Sequence, residues 1–306
     1  MKSDPHPLSD LVAAELAEPV DPRVSAMAAA LAAHYGDASR AVLFYGSCLR
    51  MRELEGLMLD FYLIVSDYRA AYGKRWLATA NRLIPPNVFP FAHEGLAAKY
   101  AVLSEADFAR LNTQAADNVS VWARFAQPAR LVWAASDAAR MTAVGAVAQA
   151  APTLLSLAAP AAQKVEGQED GLHLWRAGFG LTYNAELRAE RKERAGSIVD
   201  ADVQRYRRFT GPALAAAGLE PLPDFSSEEI ASNARRWRIL QQRGKRLTVL
   251  RLAKASFTFA GGIDYLAWKI NRHAGTAIVL KPWQRRWPLL GALSLLPRLL
   301  SGGAIR

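Results

Sequence analysis

Leu57-Met58-Leu59-Asp60-Phe61-Tyr62-Leu63-Ile64-Val65 is nearly all apolar and of strand length. Side chains alternate across a strand, so Leu59, Phe61, Leu63 and Val65 form an unbroken apolar row, while Asp60 shares the opposite face with Met58, Tyr62 and Ile64. A shorter β-rich run, Ala41-Val42-Leu43-Phe44-Tyr45, precedes it and ends at Gly46-Ser47. Ahead of both, the alanine-rich stretch from Val24 to Tyr35 predicts a helix closed by Gly36. Residues 69–83 read as helix ending before Pro85-Pro86, 87–92 and 97–103 as a hairpin turned at Glu94-Gly95, 105–116 as helix, and 129–133 as a last short strand.

Beyond residue 137 the strand signals fade. Residues 138–160 predict a helix interrupted by Pro152 and closed by Pro160, and residues 166–171 a loop. A helix over 172–192 follows, then one capped by Asp200 and running to Phe209. Gly211, Pro212, Pro221 and Pro223 mark 211–226 as a linker before a basic helical stretch over 228–272. No internal repeat is visible. The expected fold class is α+β: a mixed-sheet domain over 1–136, a helical domain over 137–276 and an amphipathic tail over 277–306. A chain of 306 residues, about half apolar, is long enough for two cores.

Composition narrows the chemistry. The single cysteine, Cys48, rules out an internal disulfide framework and a cysteine-based zinc site, and the five histidines are scattered singly. The acidic start lacks the basic and apolar regions of a signal peptide, so it reads as a frayed tail leading into a helix, and the chain as cytoplasmic. The net charge of +10 is uneven: after Glu229, Asp264 is the only carboxylate side chain, set against Lys and Arg from Arg235 to Arg306. Such a C-terminal part is attracted to nucleic acid, a nucleoside triphosphate or an anionic lipid surface, and charge alone does not choose among them.

The tail narrows that choice. The apolar part of 281–300 is too short to span a bilayer, but Trp283 and Trp287 beside Arg285 and Arg286 suit its interface. The expectation is peripheral attachment at the inner face of a membrane through this segment, with no nucleic acid as partner. The plainer alternative is a helix packed on its own domain.

Asp60 carries the chemical argument. An aspartate inside so apolar a strand costs several kcal/mol if buried without a partner, so it calls for a metal or a cation. A strand, Gly46-Ser47, a short helical turn and a strand bearing an aspartate is the build of polymerase-β-like nucleotidyltransferases. Glycine lets a phosphate approach the backbone closely, a hydroxyl and N–H groups receive it, and hard carboxylate oxygens hold magnesium. Asp67 is the candidate second metal ligand, off Asp60's parity unless the strand breaks at Ser66, and Glu94 is a third candidate. Simpler readings exist: Gly-Ser is common in turns, Lys99 could be a surface lysine on a strand edge, and Arg188 lies in a charged run of the kind that forms a solvated helix face.

Val42-Leu43-Phe44-Tyr45-Gly46-Ser47 followed by Met58-Leu59-Asp60-Phe61 closely resembles the mitochondrial-type phosphatidate cytidylyltransferases, the peripheral CDP-diacylglycerol synthases of translocator assembly and maintenance. The likeness continues in order through Lys99-Tyr100-Ala101-Val102-Leu103-Ser104, Ala123-Arg124-Phe125-Ala126-Gln127-Pro128, the segment from Leu181 to Arg188, and Lys254-Ala255-Ser256-Phe257. The resemblance implies a metal-dependent reaction of CTP with phosphatidate giving CDP-diacylglycerol and pyrophosphate, with Mg2+ as cofactor. In that reading Gly46 and Ser47 cradle the triphosphate, Asp60 binds metal, Lys99 meets phosphate in the catalytic step, and Arg188 and Lys254 hold CTP or the lipid phosphate. Tyr62 stands where many nucleotidyltransferases carry a second aspartate and joins the nucleotide-contacting set. Cys48 departs from the glycine of the family. Two rivals keep the fold: a transferase acting on RNA, protein or a soluble phosphate, and a relative that binds nucleotide or lipid without catalysis.

Overall fold

The computed structural model describes residues 7–51, 54, 56–162, 171–185, 198–258 and 279–286. Among them five strands form one mixed sheet in the order β3-β4-β2-β1-β5: β1 (Ser39–Tyr45), β2 (Met58–Val65), β3 (Asn87–His93), β4 (Leu96–Ser104) and β5 (Ala129–Ala134). β2 and β4 run parallel, and the other neighbours are antiparallel. With its helices the architecture is α+β, as the hydrophobic pattern predicts.

Local signals explain most boundaries. α1 (Pro7–Leu16) is followed by α2 (Pro22–Tyr35), where Asp21 accepts the Arg23 N–H at 2.9 Å and Gly36 at φ 52 ends the helix. α3 (Ser47–Met51) leaves β1. The helix expected over 69–83 is two pieces, α4 (Tyr68–Ala71) and α5 (Arg75–Leu83), because the chain unwinds through Tyr72 and Gly73. Glu94 at φ 47 and Gly95 at φ 80 form the two-residue turn between β3 and β4, whose paired positive φ angles suit the twist of a hairpin. α6 (Glu105–Leu111), capped by Ser104, and α7 (Trp122–Phe125) precede β5.

The later half differs from the pattern in instructive places. Residues 137–161 form α8 (Asp137–Ala148) and α9 (Ala150–Ala158) with a short 3-10 turn, and Pro152 lies in the first turn of α9, where its missing N–H costs little. By length and composition this is the one described stretch able to cross a membrane, yet 72% of the most apolar window is buried in the fold, as in a core helix. α10 (Leu172–Ala185) is followed by α11 (Val203–Ala216), capped by Asp202 rather than Asp200. α11 runs through Gly211-Pro212 into the expected linker. Burying Phe209, Thr210 and Ala213 outweighs a local cost of about 3 kcal/mol for a helical proline. α12 (Ser227–Thr258) is the basic helix, and its expected continuation to 272 lies outside the described residues. In the tail, α13 (Pro282–Arg286) is described and Trp287 and the leucines beyond it are not.

The sheet is buried on both faces. Leu59, Phe61, Leu63 and Val65 pack with Val42, Phe44, Val102 and α2, as their parity predicts. On Asp60's face, Tyr62 and Ile64 join Leu43, Leu103 and residues of α1 and α6 to α12 in a second cluster, from Leu8 to Leu240. This cluster crosses the expected domain border at 136/137, and α1 itself packs on α8 and α11. Sheet and helices therefore share a core, which sequence order could not reveal.

Candidate functional site

Asp60 lies near the start of β2, between Tyr45 of β1 and Lys99 of β4 in the strand registers. Parallel pairing sets Asp60 and Lys99 directly across from one another on the same face, and the Lys99 Nζ lies 2.8 Å from Asp60 Oδ1. The Lys99 and Asp60 side chains are 32% and 16% exposed respectively, so the pair is half sheltered and reachable from solvent. Lys99 is not on a sheet edge, because β3 covers β4 with Pro90 opposite Lys99.

The chain leaves β1 at Gly46 with φ +96, a conformation that a residue with Cβ adopts at a cost. A Cβ there would stand 2.9 Å from Asp60 Oδ2, so only glycine lets the loop pass this close to the carboxylate. Ser47 is exposed at the start of α3, and Cys48 is buried behind it with its thiol 3.5 Å from the Met58 carbonyl. Burial, and then the Asp60 carboxylate, push that thiol up from its ordinary range. Gly46, Ser47, Asp60 and Lys99 thus meet at one corner of the sheet.

Other candidates do not join them. Asp67 caps α4, accepting the N–H groups of Arg69 at 2.6 Å and Ala70 at 3.1 Å. It lies beyond the far end of β2, seven residues from Asp60, and at about 3.3 Å per residue the two are on the order of 20 Å apart. Asp67 is therefore not the second ligand of a metal held by Asp60. Glu94 is in the hairpin turn, at the level of Leu96 and three residues along the strand from Lys99.

Tyr62 is a core residue, not a ligand contact. It is 2% exposed, with ring centroids 5.2 Å from Phe125, 5.3 Å from Tyr45 and 6.4 Å from Phe108. Arg188 lies outside the described residues.

Lys254 belongs to a different place. Its ammonium donates to the carbonyls of Ile84 and, at 2.8 Å, Pro86, while Arg251 Nε donates to Pro85 at 2.8 Å. These carbonyls lead into Asn87, which pairs with Val102, so they lie at least about 10 Å along the sheet from Lys99. Lys254 clamps α12 to the start of β3 instead of meeting the Asp60 corner.

Burial and the nearby Arg251 guanidinium push Lys254 down to about 7 and outweigh the carbonyls that favour its ammonium. Its unfolded value is 10.5, so the stability linked to it is complete above pH 10.5 and is lost as pH falls towards 7. Between pH 7 and 9 the fold is expected to gain about 1–2 kcal/mol, and Lys254→Met to flatten that slope. Urea unfolding at the two pH values checks this; a slope that persists in the variant assigns it to another group.

Sequence reasoning passed over two flanking features. Tyr45 is the last residue of β1 and its ring packs at a tilt against that of Tyr62 beside the corner. Gln127 and Pro128 immediately precede Ala129, the register partner of Tyr45, and so border the Gly46 loop. The available signal for the second was the motif expected from the sequence over residues 123–128.

For magnesium, the donor set is minimal. Asp60 supplies hard oxygens at a solvent-reachable strand end, and magnesium commonly binds one or two carboxylates together with substrate phosphates and water. A one-carboxylate site completed by a triphosphate fits these residues. A preformed cluster does not, since no group of three His, Cys, Asp or Glu able to hold a metal occurs among the described residues. Compared with models of known protein families the chain matches none, and it matches no curated protein either.

Proposed function

We propose that the chain is a nucleotidyltransferase of the polymerase-β-like fold that transfers CMP from CTP to phosphatidate, giving CDP-diacylglycerol and pyrophosphate at an anionic membrane surface. The observation that carries this reading is the Asp60–Lys99 pair at 2.8 Å beneath a loop that only glycine lets approach. A carboxylate, a cation and closely approaching backbone are what a metal-bound triphosphate requires. The resemblance of the segments around Gly46, Asp60 and Lys99 supplies the particular nucleotide and lipid.

In this reading Asp60 holds the magnesium ion, which supplies charge neutralisation along the phosphates when bound. Gly46 lets the triphosphate lie against the backbone, and Ser47 offers a hydroxyl. Lys99 brings positive charge to the phosphates. A phosphatidate oxygen attacks the α-phosphorus of CTP, a new P–O bond forms, and the bond to the β-phosphate bridge breaks, releasing pyrophosphate. The lipid phosphate is already anionic near neutral pH, so the step needs orientation and charge neutralisation more than a general base. C-terminal attachment through 277–306 would keep the site near its lipid substrate.

The test is to incubate the purified chain with CTP, Mg2+ and vesicles containing phosphatidate and to measure pyrophosphate. Release that depends on both CTP and phosphatidate is expected. Release with RNA or a soluble phosphate in place of phosphatidate rejects the lipid acceptor. The minimal carboxylate set favours one second reading, a chain that binds without transferring, and CTP binding without pyrophosphate release would support it.

A further inference from the structure

α5 turns an unusual face outward. Trp76 is 49% exposed and Leu83 72%, and a spacing of seven residues sets them on the same side of the helix. Arg75 and Arg82, also seven apart, are exposed beside them, and Lys74 precedes them. The inner side of α5 is accounted for by Ala78 and Asn81, both buried, so Trp76 and Leu83 are not needed to hold the helix in place. No Asp or Glu occurs from residue 68 to residue 93.

A second cationic element is fastened next to this face. The carbonyls that accept Arg251 and Lys254 of α12 belong to residues 84–86, directly after Leu83. Leu250, one residue before Arg251, is 48% exposed, and Arg246 is exposed one turn below it. From residue 230 to 258 there is again no carboxylate side chain.

We infer that this α5–α12 face is a contact surface for an anionic lipid bilayer, separate from the C-terminal tail. Cations alone would suit any polyanion. Large apolar side chains standing among cations, with no acid in either segment, suit a headgroup layer, where indole and leucine enter the acyl boundary while Arg and Lys meet lipid phosphates. A nucleic acid would use the same arginines but gain little from Leu83 and Leu250. Each cation held near an anionic surface strengthens binding about fivefold, so Lys74, Arg75, Arg82 and Arg246 suffice for a clear preference over neutral lipid.

The test uses the full chain and vesicles of phosphatidylcholine, with or without phosphatidylglycerol. The chain is expected to sediment with the anionic vesicles and far less with the neutral ones. The double substitution Trp76→Ser and Leu83→Ser should weaken anionic-vesicle binding at least about tenfold, with the melting temperature lowered by only a few degrees because Trp76 is half exposed and Leu83 mostly so. Arg75→Gln with Arg82→Gln should weaken it by about twentyfold.

Cys48 is buried, so a Leu83→Cys variant can be labelled selectively with an environment-sensitive fluorophore, whose emission should shift to the blue on vesicles. Variants that bind as the parent does, or a label that stays in water while the protein sediments, overturn the inference. So does a single-stranded RNA that displaces the chain from vesicles and binds the serine variant unchanged, which would assign the face to nucleic acid. CTP binding measured without lipid reports on the Asp60 corner alone, so the two readings fail separately.

Discussion

Asp60→Asn is expected to lower pyrophosphate release by about 10³-fold or more while leaving the fold intact. Asparagine has nearly the same shape, so Gly46 and the β2–β4 register are undisturbed; what disappears is the charge. In the proposed reaction the lost charge would remove the anionic ligand for magnesium, and it also leaves the Lys99 ammonium facing a neutral amide at a half-sheltered position. Because that position is reachable by water, the stability cost is modest, about 1 kcal/mol. If Lys99 meets phosphate as proposed, Lys99→Met is expected to cost about 10²–10³-fold in release, the usual effect of removing one group that stabilises developing charge. A titration of CTP binding beside the activity assay separates lost affinity from lost chemistry. Release within a few-fold of the parent in Asp60→Asn removes the carboxylate from the mechanism.

The largest effect on stability is expected away from the site, at Arg205. Its guanidinium is buried and grips Glu15 of α1 with two N–H groups, one of them 2.9 Å from Oε1, while a third donates to the Ala126 carbonyl at 3.1 Å. The rings of Phe209 and Tyr206 lie 4.4 and 5.0 Å from its central carbon. Arg205→Met leaves the Glu15 carboxylate buried without its partner, and removing one half of such a pair costs about 3–5 kcal/mol. The melting temperature should fall by roughly 10 °C. Glu15→Met alone should be comparably damaging, whereas the double substitution with Arg205→Met should recover most of the loss, because two packed apolar side chains need no counter-charge. Thermal melts of the three variants check this, and equal damage in the double and single variants would mean that shape, not charge, governs the position. The pair joins α1 to α11, so its loss should also loosen the N-terminal helix.

The sequence by itself determined a good deal. Alternation along residues 57–65 predicted which side chains face α2, and the Gly46-Ser47 turn and the lone carboxylate in an apolar strand singled out the corner. Both are local properties: a strand has a period of two, and an unpaired buried charge is costly whatever surrounds it. Glu94-Gly95 likewise predicted a hairpin turn from backbone preference alone.

Tertiary structure decided the partners. Whether Lys99 is a surface lysine or the counter-ion of Asp60 depends on parallel pairing of strands separated by two helices and a third strand, a long-range register that no local pattern encodes. Tyr62 shares Asp60's parity but is buried by Phe108 and Phe125, and Asp67 spends its oxygens on a helix cap at the wrong end of β2. Lys254, grouped with the site by likeness, is held some distance along the sheet by the carbonyls of Ile84 and Pro86, beside the Pro85 carbonyl that Arg251 takes. Residue type and spacing determine what a side chain is able to do; which neighbour it meets is set by how distant segments pack, since burial and pairing are shared among elements far apart in the chain.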